Sequence, residues 1–552
     1  MRAAPAAPAG PSALRRDTAF DGWGEPGSKP ELGEGAQATL VERLGALEPA
    51  ASVGIAEVTL PPSAELPRAL IEAAGGEDAV SRVAEDRVRH SSGKSYPDLI
   101  RMRGGALAEA PDAVLAPTSS EGVAAAIGAC ADERVAVIPF GGGTSVVGGV
   151  EPSRGSFDRL VSLDLGALRG VEVDPVSQTA RLGAGLRGEE AEAALSSQGF
   201  TLGHFPQSYR YATIGGYAAT RSAGQASSGY GRFDALVTEL ELTSPSGMLR
   251  TLTTPHTAAG PSLRELVLGS EGSFGAITEV GVRIRPMPTT RHYEAWFAPG
   301  FEEGIEIVRT LAQLGELPDV VRLSDREETE VSLALAGLEG LRRAGLERYL
   351  KLRRREGGCM LIVGWEGERE SAERRRQLSR RLLRAGGAIP LGAAAGRSWE
   401  HGRYRGPHLR DSLIDAGVLV DTLETAHSYA GIGKLYDSVR SALASATSSG
   451  SRGGIVMCHL SHAYRDGVSL YFTFLTAARP GAEIEQWRAI KAAASAAIVA
   501  AGGTITHHHA VGRDHAPYLP AEIGEVGIDV LRAVKAQLDP VGVMNPGKLL
   551  AG

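Results

Sequence analysis

The spacing of apolar and polar residues changes twice along this chain, and the first change, near residue 109, predicts sheet. The continuous apolar run at 135–140, VAVIPF, is typical of a buried strand and follows a small-residue helix pattern. Alternation with a period of two follows in RLVSLDL, GVEVDPVSQTARLGAG and GAITEVGVRIRPMP, where Thr278, Val280 and Val282 share one face. A Ser-Pro-Ser-Gly turn joins two more strands in LVTELELTSPSGMLRTL. This region is therefore predicted to contain several short strands joined by tight turns.

The second change comes near residue 290, where helices and strands alternate without a regular strand–helix–strand period. The pattern predicts a helix in FEEGIEIVRTLAQLG and strands in DVVRLSD, MLIVGWEGE and SLYFTFLTA. An Arg/Glu-rich helix is predicted through 365–385, with its charges facing solvent, and a last helix from Val526 to Leu538. This mixture favours an α+β domain with a mainly antiparallel sheet, closed by a C-terminal helix.

These patterns divide the chain into four parts. Residues 1–107 are predicted to be a disordered lead-in and a helical N-terminal region, because the first 30 residues are rich in Ala and Pro. Residues 108–287 form a first α+β domain and residues 288–500 a second one that caps it. Residues 501–552 form a C-terminal segment that returns to the first domain.

Composition argues against several classes of protein. The 552 residues carry a formal net charge of −7, which does not suit a nucleic-acid binder. The chain contains no apolar run of about 18 residues, so no membrane span is predicted, and its N-terminus lacks the apolar centre of a signal peptide. Three widely spaced cysteines, Cys130, Cys359 and Cys458, favour a reducing, cytoplasmic location over a disulfide scaffold.

A glycine loop, PFGGGTSVVGG, runs from Pro139 to Gly149 directly after the predicted buried strand. Glycines let the backbone curl so that several N–H groups point at one place, which suits a diphosphate, and Thr144 and Ser145 add hydroxyl donors. The loop matches neither the GxGxxG pattern of a strand–helix–strand unit nor a Walker A loop. On its own it fits a plain surface turn equally well.

Two further small-residue loops precede predicted strands, at 206–237 and 266–280. Together the three loops resemble the FAD-binding domain of the vanillyl-alcohol oxidase (PCMH-type) superfamily, over residues 108–287. The resemblance implies two small α+β subdomains with FAD between them. It implies cofactor-binding roles for Pro139, Phe140, Gly141, Gly142, Gly143, Thr144, Ser145, Gln207, Ser208, Thr213, Gly215, Gly216, Thr220, Arg221, Ser222, Glu271, Gly272, Ser273, Gly275 and Ile277.

Members of that superfamily often tether FAD to a His or Cys. Neither residue stands beside the glycine loop here, so non-covalent FAD is expected.

Three consecutive histidines, His507, His508 and His509, lie in the run TITHHHAVGRDH. Three imidazoles in a row are poor core material, because each ring nitrogen needs a polar partner. Imidazole is also the side chain that normally changes charge near neutral pH. The run therefore indicates a functional loop, with a metal-binding or surface histidine run as the alternative.

Most of the chain resembles one family of that superfamily, the alkylglycerone-phosphate synthases. The similar segments are DGWGEPGSK (21–29), RHSSGKSYPDLIRMRGG (89–105), VVRLSD (320–325), HLRDSLIDAGVLVDTLETA (408–426), SLYFTF (469–474) and HHHAVG (507–512). Two features depart from the family: Ala510 stands in place of a glycine, and the ending NPGKLL is closer to flavin dehydrogenases.

The family reaction replaces the acyl group of acyl-dihydroxyacetone phosphate by a long-chain alcohol, through an adduct at flavin N5. The resemblance implies that Tyr471 and the three histidines are catalytic and that Arg410 and Arg322 bind substrate. Tyr471 suits proton transfer if nearby positive charge lowers its pKa, and a guanidinium offers phosphate a bidentate fork. Each residue also has a plain structural reading, the tyrosine as core and the arginines as surface partners of Asp411 and Asp325.

Other readings stay open. The first is an FAD-dependent 2-hydroxy-acid dehydrogenase of the D-lactate or glycolate type, in which a metal-ligand histidine would stand near Tyr471. Cys458, His459 and His462 could contribute to a metal site, but no carboxylate completes the pattern, and no metal is predicted. The second is a flavin-binding protein without catalysis. The family resemblance also implies a homodimer, and an acyl substrate implies an apolar tunnel and peripheral membrane contact.

Overall fold

The computed structural model of the protein describes residues 14–335, 340–448 and 453–550, and it has the predicted α+β architecture. Three main sheets account for it, two in the first domain and one in the cap. The predicted strands and helices quoted above are all present among the described residues, with small shifts at their ends.

The first sheet has four strands in the order β1-β2-β4-β3. Three of its strands pair in parallel, β2 with β4 and β4 with β3. The run VAVIPF in β3 is apolar because both faces of the strand are covered. The strands are β1 (Val80–Ser81), β2 (Ala113–Leu115), β3 (Val135–Phe140) and β4 (Arg159–Asp164).

The second sheet is antiparallel, with five strands in the order β5-β6-β10-β8-β9, and a two-stranded ribbon of β7 and β11 stands beside it. Apolar residues alternate along β10 as the sequence predicted, and Val280 and Val282 are fully buried. The strands are β5 (Val171–Asp174), β6 (Thr179–Gly183), β7 (Phe200–Thr201), β8 (Val237–Ser244), β9 (Gly247–Arg250), β10 (Ala276–Arg283) and β11 (Arg285–Pro286).

The cap contains a seven-stranded sheet in the order β15-β12-β14-β13-β17-β18-β16. Every pairing in it is antiparallel, so the predicted mainly antiparallel cap sheet is confirmed. The strands are β12 (Thr290–Ala298), β13 (Val320–Ser324), β14 (Cys359–Gly367), β15 (Ile389–Gly392), β16 (Val418–Ser428), β17 (Ile455–Ala463) and β18 (Gly467–Ala477).

Helices cover the outer faces of the sheets. Their bounds are α1 (Glu34–Leu44), α2 (Arg68–Ala74), α3 (Ala84–Arg89), α4 (Tyr96–Gly104), α5 (Ser120–Asp132), α6 (Gly188–Ser196), α7 (Ile214–Thr220), α8 (Ser227–Tyr230), α9 (Phe233–Leu236), α10 (Leu263–Val267), α11 (Phe301–Gln313), α12 (Arg326–Leu335), α13 (Gly340–Leu352), α14 (Arg369–Ala385), α15 (Ala393–Gly402), α16 (Gly406–Asp415), α17 (Ile432–Ala446), α18 (Glu483–Ala501) and α19 (Leu519–Leu538). The predicted last helix from Val526 forms the part of α19 that follows a kink at Gly524.

The largest hydrophobic core lies between one face of the cap sheet and its helices. In β18, Leu470, Phe472 and Phe474 point into this core, as do Val439 of α17 and Ile498 of α18. Because successive strand residues point to opposite faces, the residues between them point away from the helices and toward the first domain.

The N-terminal stretch differs from the predicted disorder over its described part. Residues 14–33 lie against the rest of the N-terminal region and against the cap: Arg16 pairs with the buried carboxylate of Asp86, and the backbone N–H of Trp23 donates to Asp411. The Lys94 ammonium donates to the carbonyl of Ala19 over 2.6 Å. The Ala/Pro-rich composition did not reveal these specific polar contacts, and residues 1–13 lie outside the described part.

The C-terminal segment packs on the first domain. The backbone of Met544 forms a parallel β-bridge with Val137 of β3. The side-chain amide of Asn545 donates to the backbone carbonyls of Gly149 and Glu271. Among the described helices, none combines the length and hydropathy needed to cross a membrane.

Candidate active site

A cavity of about 1000 Å³ lies between the first domain and the cap sheet. The three glycine-rich loops line one side of it. The opposite side is the face of the cap sheet that points away from its main hydrophobic core, where Arg322 of β13, His459 of β17 and Tyr471 of β18 point inward. Period-two alternation in three neighbouring strands thus brings together side chains that are far apart in sequence.

The glycine loop after β3 presents a row of free donors. Among the described residues, no protein group accepts a hydrogen bond from the backbone N–H groups of residues 141–146. A side chain at Gly142 would overlap the carbonyl oxygen of Tyr211, and Gly143 has φ +62°, so both positions require glycine. A diphosphate needs such a cradle of converging N–H groups.

The other two loops extend this cradle. Thr213 caps α7 by accepting from the N–H of Gly216 over 3.3 Å, and this turn places Gly215 and Gly216 on the cavity wall. Glu271, at φ +51°, begins the third loop, and its carboxylate accepts from residues of the histidine loop. The size of the cavity and its three loops fit FAD.

Nearly all of the predicted FAD-binding residues line the cavity; Arg221 and Ser273 do not. The guanidinium of Arg221 points instead to Asp234, Glu265 and the carbonyl of Leu268. The hydroxyl of Ser273 donates to the carbonyl of Lys548 over 3.3 Å. Both residues hold neighbouring segments together beside the loops.

Tyr471 faces the cavity from β18, and its hydroxyl donates to Oγ1 of Thr422 over 3.1 Å. Its ring stacks on His459 with a centroid distance of 4.8 Å. Burial raises the pKa of Tyr471 to about 12, because desolvation outweighs the lowering effect of its hydrogen bond and of Arg410. The condition under which Tyr471 would suit proton transfer, a pKa lowered by nearby positive charge, is therefore not met, and the phenol stays protonated as a hydrogen-bond donor.

Arg322 lines the cavity but is not free. Its Nη2 donates to Glu328 over 2.7 Å, and its Nη1 lies 3.1 Å from Nε2 of His459. Nδ1 of His459 lies 3.0 Å from the same Glu328 carboxylate. Burial by itself would raise the pKa of Glu328, but its basic neighbours His459 and Arg322 outweigh this effect and lower the pKa to about 2. The partner of Arg322 is thus Glu328 and not Asp325.

Arg410, on α16, also lines the cavity and has spare donors. Its Nη1 donates to the carbonyl of Lys94 over 2.8 Å, whereas its buried Nε and Nη2 have no partner among the described residues. Its neighbour Asp411 accepts instead from the N–H of Trp23. A buried guanidinium with unused N–H groups is costly unless an anion completes it.

The histidine loop is held by carboxylates from both domains. Glu424 of β16 accepts from the backbone N–H groups of all three histidines. Glu271 accepts from those of Val511 and Gly512 over 2.8 and 2.7 Å. Ala510 lies between the residues held by Glu424 and those held by Glu271. Its φ of +75° is a conformation that favours glycine, the residue that the family has at this position.

The three histidines are not equivalent. His508 and His509 line the cavity, whereas His507 lies buried behind them. Burial lowers the pKa of His508 and of His509 to about 3 and that of His507 well below its usual range. All three rings are therefore neutral, able to accept and to donate protons.

One cluster of nitrogen atoms has the spacing of a metal site. Single ring nitrogens of His462, His507 and His508 lie within 4.8 Å of one another. A bulge in β17 turns His462, at φ +50°, out of the strand, where its Nδ1 lies 2.6 Å from the hydroxyl of Ser227. Cys458 does not join it, because its side chain lies in the hydrophobic core.

The sequence did not single out several other residues that line the cavity. Thr422, Met457 and Ser461 lie on the same face of the sheet as Tyr471 and His459, and strand alternation together with pairing register would have revealed them. Trp23 belongs to the segment DGWGEPGSK, and its local sequence gives no sign that it reaches the cavity.

Comparison with known proteins identifies the family. The family described as "FAD binding domain" matches residues 111–253, and "FAD linked oxidases, C-terminal domain" matches residues 287–549. The alkyldihydroxyacetonephosphate synthase of Trypanosoma brucei brucei is 32% identical over 86% of this chain and 79% of its own length. That of Dictyostelium discoideum is 32% identical over 84% of this chain and 77% of its own.

A solved structure of an alkyldihydroxyacetonephosphate synthase superposes with a TM-score of 0.83 at 27% identity. The superposition covers 96% of this chain and 98% of the other. The sequence identity extends over most of both chains, the fold is the same, and the cavity has the cradle for FAD described above. The chain therefore belongs to the alkyldihydroxyacetonephosphate synthase family of FAD-dependent enzymes.

Proposed function

We propose that this enzyme replaces the acyl group of acyl-dihydroxyacetone phosphate by a fatty alcohol, with non-covalently bound FAD. The observation that carries the proposal is Arg410, which lines the cavity and has two buried donor nitrogens, Nε and Nη2, without a partner among the described residues. A phosphate oxygen pair would satisfy both nitrogens in a bidentate contact. Arg322, whose charge is balanced by Glu328, contributes less to phosphate affinity.

The proposed roles of the other polar groups follow from their protonation. His508 and His509 line the cavity, and the free lone pair of a neutral imidazole can accept the proton of the alcohol. The phenol of Tyr471, protonated at neutral pH, can donate a hydrogen bond to the ketone oxygen or to the leaving carboxylate. FAD, when bound, supplies the nucleophilic nitrogen that the exchange requires.

An apolar part of the cavity suits the alkyl chains. It runs between α1, α12 and α16, and its lining includes Leu32, Leu40, Leu335, Leu409 and Leu413. Burying a methylene group contributes about 0.8 kcal/mol, so a chain of lipid length gains most of its affinity here. Leu335 is 57% exposed, which places this end of the cavity at the surface.

The test is direct. Purified, yellow holoenzyme is incubated with acyl-dihydroxyacetone phosphate and hexadecanol, and the alkyl product is sought by mass spectrometry. We expect product from the wild type and from Tyr349→Phe, whose hydroxyl bonds Pro390 far from the cavity. We expect none, or a rate lower by roughly two orders of magnitude, from Tyr471→Phe.

A second candidate is oxidation of a 2-hydroxy acid, which the nitrogen cluster of His462, His507 and His508 favours because such chemistry can use a metal. FAD-loaded enzyme that forms no alkyl product but reduces an artificial electron acceptor with D-lactate would establish this alternative.

We further propose a homodimer, a cytoplasmic location and peripheral membrane contact, the first two from family membership and composition and the third from the exposed apolar end of the cavity. Sedimentation equilibrium measures the oligomeric state. Failure to co-sediment with liposomes contradicts the membrane contact.

A further inference from the structure

A chain of hydrogen bonds leads from the cavity into the protein through His507. Nδ1 of His508 lies 3.0 Å from Nδ1 of His507, and Nε2 of His507 lies 2.8 Å from the hydroxyl of Tyr464. His508 lines the cavity, whereas neither His507 nor Tyr464 does. The chain therefore begins at the site and continues behind it.

Each member of this chain can pass a proton in either direction. A neutral imidazole carries a proton on one nitrogen and a lone pair on the other, and a phenol both donates and accepts. A proton taken up at Nε2 of His508 displaces one from Nδ1 to His507, which displaces one from Nε2 to Tyr464.

The proposed reaction needs such an exit. The bond between the substrate carbon and the acyl oxygen breaks, and the electron pair leaves with the fatty acid carboxylate. A bond forms between that carbon and the alcohol oxygen, which loses its proton. Fatty acids are ionised at neutral pH, so each turnover releases one proton inside the cavity.

We propose that His508, His507 and Tyr464 form a proton relay that carries this proton out of the cavity; this inference rests on the proposed function. His508 receives the proton at Nε2, the ring nitrogen that does not contact His507, and His507 and Tyr464 pass it outward. The relay gives His507, buried away from the cavity, a part in the reaction.

The outer end of the relay reaches polar surroundings. Tyr464 is partly exposed, and Arg232 and Asp234 lie beside its hydroxyl. The Asp234 side chain is 18% exposed and accepts from Arg232 over 3.1 Å. Arg232, which pairs with Asp234, hydrogen-bonds the Tyr464 hydroxyl, and because Tyr464 is partly exposed its hydroxyl passes the proton on to solvent.

Glu424 holds the histidine end of the relay, and Tyr429 contacts the backbone at its other end. Glu424 fixes the backbone of both histidines. On the other side, the hydroxyl of Tyr429 donates to the backbone carbonyl of Tyr464 over 2.9 Å. Tyr429 is thus a neighbouring tyrosine whose hydroxyl contacts the backbone of Tyr464 but none of the atoms that carry the proton.

The test compares Tyr464→Phe with Tyr429→Phe in the FAD-loaded enzyme. Both substitutions remove one hydroxyl and keep the ring, but only Tyr464→Phe interrupts the relay. We expect kcat of Tyr464→Phe to fall at least about tenfold with little change in KM. We also expect the solvent deuterium isotope effect on kcat to rise, because proton release becomes rate-limiting. Tyr429→Phe should leave both quantities close to wild type.

Each result separates the relay from the reaction. Active wild type with a Tyr464→Phe variant that matches Tyr429→Phe in kcat and isotope effect overturns the relay alone. A fall in kcat without a change in isotope effect assigns Tyr464 a structural role and also overturns it. A holoenzyme that forms no alkyl product refutes the proposed function, and the relay, having no proton to carry, falls with it.

Discussion

The carboxylate of Glu424 accepts a hydrogen bond of 2.6 Å from the backbone N–H of His509, across the interface between the cap sheet and the C-terminal segment. The same carboxylate accepts from the N–H groups of His507 and His508 and from the hydroxyl of Thr506. Its side chain is fully buried. In the cap sheet Glu424 is also the register partner of Tyr471, so one strand position links the histidine loop to the tyrosine.

Replacing Glu424 by Gln should therefore disturb the histidine loop more than a carboxylate-to-amide change usually does. The amide N–H₂ group would face backbone donors, and an unpaired buried donor costs about 1 to 3 kcal/mol. We expect a lower melting temperature and a kcat reduced at least tenfold, by displacement of His508. Thermal unfolding and the product assay measure both.

Glu485→Gln is the matched control, because Glu485 is exposed on α18. If Glu424→Gln melts and turns over like this control, the carboxylate does not position the loop.

Local sequence predicted the FAD side of the site better than the cap side. The glycine loop is one contiguous stretch of sequence. Its conformation depends on positions such as 142 and 143, where only glycine fits. Strand alternation likewise predicted the buried face of β10. These features depend on neighbouring residues, which a sequence displays directly.

The features of the site that the sequence did not predict depend on contacts between distant segments. No local pattern reveals that Arg322 is balanced by Glu328, or that Tyr471 is buried deeply enough to raise its pKa. The Arg/Glu-rich helix shows the same limit: its charges were expected to face solvent, yet Arg375 and Arg376 pair with the buried carboxylates of Asp319 and Glu294. Burial and pairing follow from the tertiary arrangement.

Glu271 should make stability depend on pH. Burial raises its pKa to about 7, above the value of 4.5 expected for an unfolded glutamate, despite hydrogen bonds from Val511 and Gly512. Between these values the folded state binds more protons than the unfolded state. The stability that Glu271 contributes is therefore fully present below pH 4.5 and is lost as pH rises through 7, on the order of 1 to 3 kcal/mol.

Urea unfolding of wild type and Glu271→Gln at several values from pH 4.5 to 8 measures this effect. The difference between their unfolding free energies should shift across that range, with wild type losing more than the variant. Parallel curves would show that Glu271 does not titrate in this window.

Arg410→Met should weaken substrate binding and leave the flavin in place. Hydrogen bonds to charged groups contribute about 1.5 to 3 kcal/mol each, so loss of the proposed phosphate contact should raise KM for acyl-dihydroxyacetone phosphate roughly tenfold to a hundredfold. Arg405→Met, an exposed arginine just before α16, is the control and should keep its KM. An equal KM in both variants would refute the assignment of the phosphate to Arg410.

Gly142→Ala should impair FAD retention. The new methyl group would overlap the carbonyl oxygen of Tyr211, and the loop can relieve this only by moving its N–H groups away from the diphosphate. Overpacking of this kind costs about 1 to 3 kcal/mol. We expect a lower ratio of flavin to protein absorbance after gel filtration, restored in part by added FAD.

The matched substitution for this prediction is Gly128→Ala, because Gly128 lies inside α5 with open space around its Cα. Alanine is favoured over glycine within a helix by about 1 kcal/mol, so this variant should retain FAD fully and melt at a slightly higher temperature. Equal flavin content in the two variants would mean that the loop after β3 tolerates a side chain, and the cradle for the diphosphate would then have to lie elsewhere on the cavity wall.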